Sequence, residues 1–175
     1  MKILYIDNRN YGHNADIHID FFKYISKHHV IIPYGNHLHK HFKNAVVPNN
    51  NAVKELELLA FNTNPDCIIT YNCNGSSYEV KLDNVNLYKW CEKFLKKTDI
   101  PKYHITTDYC RSGFNQEQAD WFGKLGYRAA FFRHKESLKY PLNIPKYWLP
   151  FSVDEKLYKT NSIKSETSYL LANRS

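Results

Sequence analysis

Lys2-Ile3-Leu4-Tyr5-Ile6 opens the chain and gives way to Asp7-Asn8-Arg9-Asn10-Tyr11-Gly12-His13-Asn14. The first stretch is short, mostly apolar and partly β-branched, which is a strand pattern; the second is a polar loop. Ala15 to Lys27 follows as a helix, with Ile17, Phe21, Phe22 and Ile25 on one face at helical spacing. Asn14 or Asp16 stands where a cap belongs.

The same order repeats along the chain. Val30 to Tyr34 is a second strand, stopped by Gly35. Residues 36–51 are rich in His, Asn and Lys and read as irregular. Asn51 to Asn62 is a helix carrying Val53, Leu56, Leu59 and Ala60 on one face. Asp66 to Tyr71 is a third strand, and Leu87 to Lys97 a helix with Leu87, Trp90, Cys91, Phe94 and Leu95 inward. Lys102 to Thr107 is a strand, Asn115 to Leu125 a helix, Tyr127 to Phe132 a strand, and Tyr147 to Leu149 a last strand. Strands alternating with helices predict an α/β fold: a Rossmann-like open parallel sheet with helices on both faces and right-handed crossovers. Ligands of such sheets bind beyond the carboxyl ends of the strands. The loops after Ile6, Tyr71, Thr107 and Phe132 are therefore the places to look for a site.

Composition narrows the class. A chain of 175 residues has the size of one domain, or of a domain with a short tail. It is 15% aromatic, too rich for a disordered chain. No apolar run approaches the ~18 residues of a membrane span, and the first residues lack a signal-peptide pattern. This points to a cytoplasmic protein whose cysteines, Cys67, Cys73, Cys91 and Cys110, are reduced thiols. The formal net charge of +7 permits an anionic partner. The lysines are scattered along the sequence, so duplex nucleic acid is not expected.

Several motifs are missing. No G-x-G-x-x-G follows the first strand, no P-loop is present, and no G-x-S-x-G elbow exists. His37, His39 and His41 would share one face if their segment were a strand, and could then hold zinc. A solvated basic loop explains them better. Asp16-Ile17-His18 lacks the glycine of a cobalamin motif, because Phe21 stands there. Cys73 and Cys110 fall in loops, where a nucleophile would need an orienting base. Asp108, at a strand's end, suits a general base or a ligand for hydroxyls, and equally a helix cap or turn residue. Arg133 and His134 follow an apolar strand and could meet a phosphate or sugar, or equally be ordinary surface.

Tyr147-Trp148-Leu149-Pro150-Phe151-Ser152-Val153-Asp154-Glu155-Lys156-Leu157-Tyr158 resembles the W-L-P-x-x-V-D-x-x-x-F/Y segment of glycosyltransferases with the GT-B architecture, most of all CgeB-type and related viral or phage members. Ile105 to Tyr109 resembles that family's strand ending in an acidic–aromatic pair. Asn64 to Ile69 resembles its x-P-D strand entry, and Met1 to Gly12 its first strand and acceptor-side loop. Tyr127 to His134 resembles its Y-D-x-x-F strand, with Arg128 in place of Asp.

The resemblance implies a metal-independent transferase without a cofactor, using a nucleotide-sugar as co-substrate. Residues 1–160 would form the acceptor-side domain, and 161–175 a tail or the start of a second, donor-binding domain. The chain would then be a half-enzyme, completed by a second domain or subunit. Carried onto this chain, the acceptor side would consist of Tyr11, Gly12 and His13, with Asn72 and Asn74 bonding hydroxyls. Asp108 and His13 would be catalytic, Tyr109 would be an aromatic platform, and Arg133 and His134 would face donor phosphates. Two rivals are a stand-alone flavodoxin-like binding module without catalysis and a zinc hydrolase built on His37, His39 and His41.

Overall fold

The structure is a computed structural model that describes residues 1–7, 17–35, 38–49, 52–71, 85–105, 123–132, 135–139 and 142–149. In chain order its elements are β1 (Lys2–Asp7), α1 (Ile17–Ile25), β2 (Val30–Tyr34), α2 (Ala52–Thr63), β3 (Cys67–Tyr71), α3 (Val85–Lys97), β4 (Lys102–Ile105), β5 (Ala129–Phe132) and β6 (Lys146–Trp148). Short 3₁₀ turns occupy Leu38–Lys40 and Lys135–Lys139. The six strands make one sheet in the order β2-β1-β3-β4-β5-β6, and every neighbouring pair is parallel. The α/β open sheet expected from the alternation is the fold observed.

The strand order dictates the layering. The chain moves from β1 outward to β2, then back past β1 to β3, and onward from there to β6. A crossover of constant hand must change face when its direction reverses. It does: Ile19 and Phe22 of α1 pack with Ile3, Tyr5, Ile31 and Cys67 on one face. On the other, Leu56 and Ala60 of α2 and Cys91, Phe94 and Leu95 of α3 pack with Leu4, Ile6, Ile32 and Ile68. β1 lies between both layers, so Ile3 through Asp7 are all buried, as a central parallel strand requires.

Local signals account for most boundaries. α2 ends where Asn64 adopts a left-handed backbone, φ 45°, and its amide donates to the Ala60 carbonyl. Gly126 turns the chain into β5 with φ 67°. Of the stripe expected at Ile17, Phe21, Phe22 and Ile25, Phe22 is buried and Phe21 and Ile25 flank the core; Ile19, outside that stripe, is buried beside Phe22.

The segment 38–49 is more ordered than its composition predicted. Val46 lies beside β2 as a parallel bridge to Tyr34; its amide donates to the Pro33 carbonyl, and its own carbonyl accepts from Gly35. Asn44 Nδ2 donates to the Ile31 carbonyl at 3.1 Å. Pro33 carries no N–H, so this sheet edge offers little to an incoming strand.

Candidate functional site

A parallel sheet brings the carboxyl ends of all its strands to one edge. Here that edge is formed by Asp7, Tyr34, Tyr71, Ile105, Phe132 and Trp148. Direction reverses between β1 and β3, and at that switch point Asp7 pairs across the strands with Tyr71. Asp7 is fully buried although it is the last residue of its strand.

Asp7 is held from its own strand. Tyr5, two residues earlier and on the same face, donates its hydroxyl to Asp7 Oδ2 at 2.7 Å. The Tyr5 ring stacks on Phe22 of α1, with centroids 3.7 Å apart and planes 19° from parallel. The helix therefore fixes the tyrosine and the tyrosine fixes the carboxylate. Gly35 completes the surroundings: a Cβ there would collide with the Asp7 carbonyl oxygen. Glycine lets the end of β2 pass close to the end of β1.

Behind this edge, on the face covered by α2 and α3, lies a buried polar cluster. Thr70 of β3 and His104 of β4 are register partners, and Thr70 Oγ1 lies 2.7 Å from His104 Nδ1. Thr70 Oγ1 also lies 2.8 Å from the Tyr127 hydroxyl. The Tyr127 ring meets the imidazole edge-on at 6.0 Å. Burial pushes the His104 pKa down to about 3, so the ring is neutral at ordinary pH. Thr70 has one hydroxyl proton for two partners, so another proton in the trio must point back at it.

At the end of β2, Tyr34 donates to Glu55 Oε2 of α2 at 2.8 Å, and Asn49 Nδ2 donates to Glu55 Oε1 at 3.0 Å. Burial, then the Glu55 carboxylate, raises the Tyr34 pKa and keeps the phenol protonated. This cluster ties the start of α2 to the sheet. Cys67 is also buried; burial and the neighbouring Asp66 push its thiol up, which makes it a poor nucleophile.

The residues nominated from the sequence are Tyr11, Gly12, His13, Asn72, Asn74, Asp108, Tyr109, Arg133 and His134. All of them lie outside the described residues. In sequence they follow β1, β3, β4 and β5, whose carboxyl ends share this edge. Cys73, Cys110 and His37 also lie outside the described residues. The strand geometry supposed for the histidine triplet is not found: Leu38–Lys40 is a 3₁₀ turn, in which residues two apart point in different directions. Among the described residues no group of three or more His, Cys, Asp or Glu could hold a metal ion.

Sequence reading passed over Asp7, Thr70 and His104. The signal for Asp7 was present: an acid two places after Tyr5 at the end of an apolar strand shares that tyrosine's face. Among the described residues no helix is long and apolar enough to cross a membrane. No family, no curated protein and no solved structure matches the chain.

Proposed function

We propose that this chain is the acceptor-binding domain of a glycosyltransferase that moves a sugar from a nucleotide-sugar donor without a metal. One observation carries the reading. The four loops nominated for the site leave β1, β3, β4 and β5 at a single edge of a doubly wound parallel sheet, with the buried Asp7 at its switch point. Loops rich in Asn, Asp, Arg and His at such an edge suit a ligand made of hydroxyls and phosphates. In this reading Asp108 accepts the proton of the attacking hydroxyl, assisted by His13. Asn72 and Asn74 bond the acceptor, Tyr109 stacks on it, and Tyr11 and Gly12 close over it. Arg133 and His134 face the donor phosphates, and the remaining donor contacts come from a second domain or subunit.

The strand order favours a second reading. The order 2-1-3-4-5, here extended by β6, is that of flavodoxin-like sheets, which bind one ligand at the β1/β3 switch point. A stand-alone binding module of that kind needs no catalytic residue.

One titration separates the two. Isotope-labelled protein is mixed in turn with simple sugars, nucleoside diphosphates and nucleotide-sugars, and amide shifts are followed by NMR. The transferase reading expects sugars to move resonances of Asp7, Tyr71 and Ile105, and an Asp108→Asn substitution to abolish transfer in the enzyme completed by its donor-binding part. Shifts with nucleotides alone support the binding module. No shift at the strand ends with any sugar or nucleotide-sugar overturns the transferase reading.

A further inference from the structure

The opposite, amino-terminal edge of the sheet has a chemistry of its own. In a parallel α/β fold the strand starts and the helix ends meet there. Lys2 begins β1, Arg128 immediately precedes β5, and Lys146 begins β6. The last turns of α1 and α3 bring Lys23, Lys96 and Lys97 to the same edge, and Lys27 follows α1. Basic residues that look scattered in sequence are thus gathered by the topology into one band. Part of the band has a structural role. Lys2 Nζ donates to the Thr63 carbonyl at the end of α2, and the buried Lys102 donates to Thr98 after α3. Among the described residues, Asp66, Asp99 and Glu57 are too few acids to neutralise it; Glu57 is engaged by Lys97 at 3.3 Å.

Helix capping does not explain the apolar side chains exposed at the same edge. Met1 is 64% exposed, Val30 56%, Tyr24 62% and Phe61, in the last turn of α2, 84%. Val30 and Met1 are neighbours, joined by the bond from the Val30 amide to the Met1 carbonyl at 2.9 Å. Lys27 Nζ sits 5.3 Å from the Tyr24 ring centre, so cation and aromatic form one unit.

We infer that the amino-terminal edge of the sheet is a docking surface for an anionic phospholipid membrane, with lysines meeting the headgroups and Met1, Tyr24, Val30 and Phe61 entering the interface. Two features favour lipid over nucleic acid. Lysines outnumber Arg128 among the described cations of this edge, whereas phosphate and base readout favours the arginine fork. Tyr24 and Phe61 could stack on bases, but Met1 and Val30 give a nucleic acid nothing to stack on, whereas all four bury area at a lipid boundary. A membrane bound here leaves the carboxyl edge, with its loops, facing the aqueous side.

The test is co-sedimentation of the full chain with vesicles of phosphatidylcholine, alone or mixed with phosphatidylserine. The protein is expected to pellet with the mixed vesicles only, and less as salt rises. Lys27→Glu should weaken binding about ten- to thirtyfold, each lysine near an anionic surface contributing about 1 kcal/mol. Lys135→Glu changes net charge equally but starts the turn after β5, at the opposite edge, and should change binding less than about twofold. Phe61→Ser, at a site too exposed to support the fold, should reduce the binding that survives high salt. Circular dichroism confirms that each variant is folded. Equal losses from Lys27→Glu and Lys135→Glu would reduce the effect to net charge and overturn the proposal. Failure to pellet with either vesicle, or tighter binding to a single-stranded oligonucleotide than to vesicles, would overturn it too.

Discussion

Thr70 and His104 face each other across β3 and β4, and the 2.7 Å contact from Oγ1 to Nδ1 joins two strands that lie 34 residues apart in sequence. Both side chains are fully buried. A polar pair in a parallel sheet costs desolvation wherever it is not satisfied, so it discriminates between registers more strongly than an apolar pair does. A slip of β4 by one residue would turn His104 to the other face, away from Thr70 and among the apolar side chains of Ile69, Tyr71 and Phe131.

The imidazole makes stability depend on pH. Its folded pKa, about 3, lies below the ordinary value of 6.5 because burial disfavours the cation. The unfolded chain therefore binds a proton that the native state refuses. The contribution is fully present above pH 6.5 and is lost as pH falls toward 3. About 2 kcal/mol should disappear between pH 7 and pH 5 from this group alone. Urea unfolding at the two pH values measures it. His104→Gln should remove most of that difference, and an unchanged pH dependence in the variant would refute the assignment.

Thr70→Val keeps the shape of the side chain and removes the hydroxyl shared by His104 and Tyr127. The expected loss is about 1–3 kcal/mol, the cost of taking a partner from buried polar groups. Adding Tyr127→Phe should cost less in the Thr70→Val background than in the wild type, because the tyrosine hydroxyl has already lost that partner. Additive losses in the double-mutant cycle would show that the three groups do not act together.

Part of this arrangement was legible in the sequence. β1 reads as a strand because Lys2 to Ile6 is a short apolar run that turns polar, and α2 shows Leu56 and Ala60 where the helical period places them. Phe22 reads inward from its period, but Ile19 was missed because Ile17, Phe21 and Ile25 extend the apolar stripe to the other side of Phe22, and only the sheet decides which flank turns inward. The two-residue period puts Tyr5 and Asp7 on one face, but the burial of Asp7 depends on α1 and on the close approach of Gly35. The Thr70–His104 pair needs a register between distant strands, which no local pattern contains. The nominated loop residues rest on the strand ends alone.

Gly35 is required by space and not by backbone angle. A Cβ at this position would overlap the Asp7 carbonyl oxygen and lie 3.1 Å from its carbon, both of them backbone atoms that cannot swing aside. Gly35→Ala should therefore separate the ends of β1 and β2 and cost about 1–3 kcal/mol, as overpacking does. Thermal unfolding reads the loss. Asp7 and Tyr34 amides should exchange faster in the variant, whereas amides of β4 and β5 should not.

The Tyr5–Asp7 bond allows a cleaner separation of fold from site. Tyr5→Phe keeps the ring on Phe22, 3.7 Å between centroids, and removes only the hydroxyl that donates to Asp7 Oδ2. A buried hydrogen bond to a carboxylate is worth about 1.5–3 kcal/mol, and that is the expected loss of stability. Phe22→Ala removes the support beneath the ring as well and should cost more, about 3–5 kcal/mol. Near-ultraviolet circular dichroism should change little in Tyr5→Phe beyond the lost phenol, since the stack persists. If the carboxyl edge holds the ligand, sugar-induced shifts at Tyr71 should weaken in Tyr5→Phe even at temperatures where the variant is fully folded. Unaltered shifts there would make Asp7 a purely structural carboxylate and move the site outward to the loops.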